Sequence, residues 1–391
     1  MRFAGIDIAS ENHVVAVVDV DGQVVVKATS FKEDAGGYDR LLALLGTPDG
    51  CLVAMEATGH YWQNLFAALA AAGFTIALLN PIRTHHFAKE EMARTKTDAI
   101  DALGIARFAQ QKRPVATKLP DSATQELREI VRLRDRVVQD LGDATRRLHR
   151  LVDLGFPEFT RYVKDLDTEL ATSILSEYPT ARAFPVVARP LAKLVYDGRH
   201  KVGAELAGQL VEAAKVSVGR HHGEAYRVQV QYACQDIGLA RRRLRELDRR
   251  IETLLGQHEV GTLLTTISGI GPQTAARLVA EVGDFDRFPD AGKLAAYVGC
   301  IPGIRHSGKS TPPRGPMTNL GNARLRAALW MPLLTAVRRN EWLRAFYQRL
   351  IAAGKLPKVA LIASMRKLLH AVYSVATHRT PFVPRLPEVA S

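Results

Sequence analysis

The chain has 391 residues, 47% hydrophobic and 24% charged, and its 53 Lys and Arg against 40 Asp and Glu give a net charge of +13. That balance is ordinary for a folded protein with two or three cores, and its basicity favours a polyanionic partner, nucleic acid before a membrane surface. Neither a signal-peptide pattern nor an uninterrupted apolar run fit to span a bilayer is found, and Cys51, Cys234 and Cys300 are too scattered for a disulfide framework or a zinc site, so a cytoplasmic protein is expected.

Residues 1–30 read as three strands. The first, Arg2-Phe3-Ala4-Gly5-Ile6-Asp7, closes on an aspartate; the next two flank Asp19-Val20-Asp21-Gly22, whose Asp-Gly marks a hairpin. A helix is predicted around 37–45, then a strand, Cys51-Leu52-Val53-Ala54-Met55-Glu56, that closes on a glutamate. A helix over 61–72 and a strand over 75–79, stopped by Asn80-Pro81, follow. Asp98 and Asp101 then stand three apart, so a helix there carries both carboxylates on one face. This order is that of an α/β ribonuclease H-like domain over residues 1–115, with Asp7 on its central strand.

Residues 110–121 read as a linker. Asp121 or Ser122 caps a long helix to about 154, and a second arginine-rich helix over about 224–255 contains Arg241, Arg242, Arg243 and Arg245. The two are expected to pair as an antiparallel coiled coil across 121–258, within one chain or between subunits, leaving 157–222 as a helical insert. A mainly α domain is expected over 259–379. In it Gly269-Ile270-Gly271-Pro272 resembles a helix-hairpin-helix turn before a helix over 273–282, and further helices are predicted over 319–337 and 358–377. A polar loop over 303–315 carries Arg305, His306, Ser307, Lys309, Ser310 and Arg314, and residues 380–391 read as an irregular tail.

Strand-end carboxylates facing a helical pair suit two divalent cations beside a phosphodiester, because hard cations take oxygen ligands and in-line displacement needs both oxygens clamped. Each feature also has an ordinary explanation. Thr95-Lys96-Thr97-Asp98 fits a capping box in which Asp98 serves the helix end. Gly269 and Gly271 fit a plain helix-helix turn as well as a phosphate-approaching one. Arginine rows interleaved with acids are usually solvated faces, although the density over 241–250 favours phosphate contact. From spacing alone Ser307 is a loop serine, and His60, His85, His86 and His306 lack ligand spacing.

Together these residues resemble the Piv/MooV type of DEDD transposase, from the insertion-sequence family numbered one-ten. The resemblance covers nearly the whole chain. It is carried by Gly5-Ile6-Asp7-Ile8-Ala9, Met55-Glu56-Ala57-Thr58-Gly59, Lys96-Thr97-Asp98-Ala99-Ile100-Asp101-Ala102 and Ile267-Ser268-Gly269-Ile270-Gly271-Pro272. Tyr297-Val298-Gly299-Cys300-Ile301-Pro302, Ser307-Gly308 and Gly321-Asn322-Ala323-Arg324-Leu325-Arg326 complete it. It implies a RuvC-like domain whose Asp7, Glu56, Asp98 and Asp101 bind Mg2+, two ions being expected. It also implies a C-terminal transposase domain with a serine nucleophile, Ser307 by its Ser-Gly position, with Ser310 second. Donor and target DNA, a structured guide RNA from the element itself, and a dimer or tetramer are the implied partners. Arg305, Lys309, Arg314, Arg324 and Arg326 join the arginine helix as expected nucleic-acid contacts. One departure is Thr318-Asn319-Leu320-Gly321, where the family commonly has Ser/Thr-Lys before the glycine.

Three other classes compete. A RuvC-like nuclease using metal-activated water makes nicks without a protein adduct. A non-catalytic nucleic-acid-binding regulator tolerates Asp7→Asn. An actin-like kinase wants a phosphate-gripping glycine soon after the first aspartate, and Ile8-Ala9-Ser10 has none.

Overall fold

The computed structural model describes residues 1–91, 97–184, 187–301 and 320–384. The chain divides into two compact units, Met1–Leu119 and Pro120–Ser391.

The first unit is an α/β sheet domain. Its strands are β1 (Arg2–Asp7), β2 (Asn12–Val18), β3 (Val24–Lys32), β4 (Cys51–Glu56) and β5 (Thr75–Leu79), and its helices α1 (Ala35–Leu45), α2 (Trp62–Ala71), α3 (Pro81–Glu90) and α4 (Asp98–Lys112). The sheet runs β3-β2-β1-β4-β5. β1 pairs antiparallel with β2 and parallel with β4, which pairs parallel with β5. A central strand is covered on both faces, which is why β1 is a nearly continuous apolar run. Ala4 and Ile6 pack toward α1 and α2 through Leu41, Leu45, Leu65 and Leu69. Phe3 packs the other way, with Phe87, Ile105, Ala106 and Phe108 of α3 and α4. The hairpin turn forms where Asp-Gly predicts it: Gly22 has φ +82°, and Asp19 Oδ1 accepts from the Asp21 and Gln23 amides.

The stretch read as a linker begins inside α4, which ends at Arg113 in the left-handed region (φ 41°). Thr117 then docks on the sheet edge, its amide donating to Ile76 O (2.7 Å) and its Oγ1 accepting from Leu78 N (2.8 Å).

The second unit is mostly helical. Its long helices are α5 (Ser122–Gly155) and, after α6 (Phe159–Tyr162), α7 (Glu169–Glu177), α8 (Ala188–Lys193) and α9 (Ala204–Lys215), α10 (Glu224–Gly256). α5 and α10 run antiparallel, since Arg134 pairs with Asp248 and Arg147 with Asp236. Asp121 caps α5 by accepting from Thr124 N at 2.7 Å. At one end of the pair Leu148, Leu151, Val230 and Ile237 pack with Phe156, Phe159 and Phe184, so α6–α9 share a core with that end of α5 and α10.

The helices α11 (Glu259–Leu264), α12 (Pro272–Val282), α13 (Ala291–Val298), α14 (Ala323–Ala328), α15 (Trp330–Arg339), α16 (Glu341–Ala352) and α17 (Pro357–His378) close the unit. Leu127 and Val131 of α5 and Ile251 and Leu255 of α10 are buried in one core with them.

The helix predicted over 319–337 is two helices. Asn322 caps α14 by accepting from Leu325 N, and Pro332 cannot donate to the carbonyl of Ala328, so the chain breaks at Leu329 and restarts. A further helix, α16, was not predicted; buried Asn340 caps it and also donates to Ser268 O at 3.2 Å. One helix among the described residues, α17, is long and apolar enough by length and composition to cross a membrane, although it is not an uninterrupted apolar run. Its Met365, Leu368, Leu369, Val372, Val375 and Ala376 are instead buried in the helical core, and Arg366 and Lys367 interrupt its sequence.

Candidate active site

Asp7 and Glu56 end two adjacent parallel strands. The β1–β4 register pairs Ile6 with Met55, so the next residue on each strand stands beside the other at the carboxyl edge of the sheet. Ligand sites of open α/β sheets form at such edges. Both residues are half-buried. Glu56 Oε1 accepts a hydrogen bond from Thr84 Oγ1 at 2.5 Å, which ties the strand end to α3.

α4 brings the other two carboxylates to the same edge. A Cβ added at Gly5 would lie 2.2 Å from the Ala106 amide nitrogen and 2.3 Å from Ala102 O, so glycine alone lets α4 lie against β1. At the far end, Gln110 Nε2 donates to Val20 O (2.8 Å), beyond the β2 residue that pairs with Phe3. α4 therefore runs opposite to β1, and its first turn, with Asp98 and Asp101, comes to the end of the sheet where Asp7 stands. Thr97 is the N-cap, its Oγ1 accepting from Ile100 N, and Asp98 occupies the first helical position. Asp98 is thus not the cap; Thr95 and Lys96 of the expected capping box lie outside the described residues. Asp98 is exposed and Asp101 half-buried, both at the positive end of the helix dipole.

The donor set fits a hard divalent cation in its chemistry: four carboxylates, oxygen only, from one edge. Among the described residues no three His, Cys, Asp or Glu side chains are grouped closely enough to hold a metal ion, so the expected four-carboxylate cluster is not closed. Glu56 is hydrogen-bonded by Thr84, Asp98 is exposed and Asp101 is half-buried.

The candidates in the second unit separate into distinct settings. Gly269 has φ +103°, and an added Cβ would lie 2.4 Å from Ala336 Cβ, so its size serves the approach of α15. Gly271 is the N-cap of α12, with nothing within 4 Å of an added Cβ. Arg241 donates to Asp167 O and Arg245 pairs with Glu169 at 2.8 Å, so both anchor α10 to the start of α7. Arg242 and Arg243 are exposed and enter no ion pair among the described residues. Arg326 Nη1 donates to Val298 O (3.1 Å), while Arg324 is exposed. Arg305, His306, Ser307, Lys309, Ser310 and Arg314 lie outside the described residues.

Three positions escaped the sequence reading. Gly5 had a legible signal, a lone glycine inside a strand. Thr84 and His13 had none, because their partners, Glu56 and Glu33, are distant in sequence.

A family model described as DEDD transposase of the IS110 type matches residues 4–157, and one described as "Transposase IS116/IS110/IS902 family" matches residues 261–348. The insertion element IS110 uncharacterized 43.6 kDa protein of Streptomyces coelicolor is 26% identical over 90% of this chain and 87% of its own length. The IS116 uncharacterized 44.8 kDa protein of Streptomyces clavuligerus is 27% identical over 98% of this chain and 97% of its own. The pilin gene-inverting protein of Moraxella bovis is 24% identical over 85% of this chain and 82% of its own.

Proposed function

The chain belongs to the IS110 family of DEDD insertion-sequence transposases, DNA recombinases by class, and from that premise we propose that it cuts and rejoins DNA through a phosphoserine link at Ser307. The observation that carries this reading is the arrival of Asp7, Glu56, Asp98 and Asp101 at one edge of the sheet from two strands and one helix. The fold class we assign to residues 1–115 is ribonuclease H-like, RuvC-like in detail. Residues 121–258 are assigned as a coiled-coil arm that grips nucleic acid, and 259–379 as the domain that supplies the nucleophile.

Asp7, Glu56, Asp98 and Asp101 are the residues that would hold Mg2+, two ions in this reading. The cation, when bound, supplies charge neutralisation at the scissile phosphate and lowers the cost of deprotonating a hydroxyl. The serine Oγ–P bond forms as a deoxyribose P–O bond breaks, and the released deoxyribose oxygen takes up a proton. Attack by another strand's hydroxyl reverses the exchange. One phosphoester replaces another at each step, so rejoining needs no external nucleotide.

Exposed Arg242, Arg243 and Arg324 serve this reading as backbone contacts, which position a strand without reading its sequence. Sequence choice is assigned to a structured guide RNA paired with donor and target DNA, the work done by a dimer or tetramer in the cytoplasm. The test is the covalent adduct. Ser307→Ala abolishes protein–DNA adducts and leaves RNA binding intact; adducts that persist in it refute Ser307, and nicks without any adduct favour the hydrolytic nuclease.

A further inference from the structure

We propose that His13 is a positioning residue for Asp7, holding the turn that follows the aspartate through a hydrogen bond to the Ala9 amide and an anchor at Glu33. The inference rests on the reading of Asp7 as a metal-binding carboxylate.

His13 lies near the start of β2 and is 0% exposed, its ring 5.1 Å from that of Phe31. An imidazole buried this fully is costly unless both nitrogens have partners, and an apolar side chain would fill the space without that cost. Both nitrogens do have partners. Nε2 lies 2.6 Å from Glu33 Oε2, and the Ala9 amide donates to Nδ1 at 3.3 Å. Because an amide only donates, Nδ1 carries no proton and Nε2–H donates to the carboxylate, so the surroundings select one tautomer.

The anchor is itself tied down. Asn64 Nδ2 donates to Glu33 Oε1 at 3.3 Å, and the Glu33 amide donates to Glu11 O at 2.9 Å. Burial pushes the Glu33 carboxyl up, but its polar neighbours, with the hydrogen bonds of His13 and Asn64 among them, outweigh it and hold the group below its ordinary value. The turn between β1 and β2 is therefore held at Ala9 by an imidazole and at Glu11 by the Glu33 backbone. Ala9 is two residues past Asp7, and Ile8 between them is buried. With the amide of Ala9 and the side chain of Ile8 both fixed, the strand end bearing Asp7 has one backbone path. His13 acts on the carboxylate through that path, not by touching substrate.

Two substitutions separate positioning from filling. His13→Val fills space but bonds neither partner; His13→Asn keeps an acceptor near the Nδ1 position for the Ala9 amide and gives up Glu33. Mn2+ binding to the intact protein, followed by electron paramagnetic resonance, is read beside the melting temperature. Groups that orient metal ligands from behind typically change affinity by about 10–100-fold when removed. His13→Val is expected to weaken Mn2+ binding about tenfold and His13→Asn less than about threefold, with both proteins folded. Should His13→Val not fold, His13→Gln, which reaches Glu33 but not Ala9, replaces it with the same expected loss. A folded His13→Val or His13→Gln protein that binds Mn2+ as the wild type does overturns the inference, as does an equal loss in His13→Asn. Asp7→Asn is titrated alongside. If it keeps full affinity, the metal reading of Asp7 fails; if it alone loses affinity, only the role of His13 does.

Discussion

Thr84 donates its hydroxyl to Glu56 Oε1 across 2.5 Å, and Thr84 is itself only 8% exposed. The contact fixes one oxygen of the carboxylate that ends β4. A hydrogen bond to a charged group contributes about 1.5–3 kcal/mol, enough to hold one rotamer. Thr84→Val is expected to slow strand cutting about tenfold at saturating DNA with the fold intact. Thr84→Ser, which keeps the hydroxyl, restores most of the rate; equal rates in all three proteins remove Thr84 from the site.

Thr97 and Asp98 stand side by side at one helix end. Thr97 caps α4 and Asp98 does not. Thr97→Ala is expected to lower stability by about 1 kcal/mol in denaturant titration. Asp98→Asn costs less stability than that and abolishes cutting. If Asp98→Asn cuts normally, its carboxylate is no part of the chemistry.

Gly269 and Gly271 answer differently to the same change. With φ +103° and Ala336 Cβ 2.4 Å from an added Cβ, Gly269→Ala is expected to cost about 1–3 kcal/mol, visible as a lowered melting temperature. Gly271 has room and φ −84°, so Gly271→Ala melts within a few degrees of wild type, an N-cap change of this kind being worth under about 1 kcal/mol. A specific fall in DNA affinity in Gly271→Ala marks the α12 terminus as a phosphate contact.

Glu281 sets part of the acid limit of the second unit. Burial pushes its carboxyl up, but hydrogen bonds from Arg132 (3.1 Å) and Asn322 (3.1 Å) and the charges of Arg132 and Arg324 bring it below the ordinary value of 4.5. A depressed folded-state pKa gives stability that is full above the unfolded value and is lost as pH falls through the folded one. Melting temperature therefore declines below about pH 4.5, and Glu281→Gln flattens that decline while lowering stability at neutral pH. A wild-type profile in Glu281→Gln contradicts the assignment.

Much of the first unit was legible because its signals are local. Apolar runs that end on Asp7 and Glu56, an Asp-Gly turn and Asn80-Pro81 each mark an element within a few residues. The second unit was read less well where boundaries depend on single residues. Pro332 and Asn340 decide where helices break and restart, and a periodic apolar pattern runs across both positions. The supporting contacts were not legible at all. Thr84 reaches Glu56 and His13 reaches Glu33 across distances in sequence that no spacing rule encodes.

The most direct measurement is DNA strand cutting by Asp7→Asn, Glu56→Gln, Asp98→Asn and Asp101→Asn, each alone and all four together, at saturating Mg2+. Groups that act as one unit lose nearly everything with the first removal and little more with the next. The account predicts that each single variant falls by about a thousandfold or more, close to the level of the fourfold variant. Single variants that cut at near wild-type rates, or losses that merely add up, contradict it.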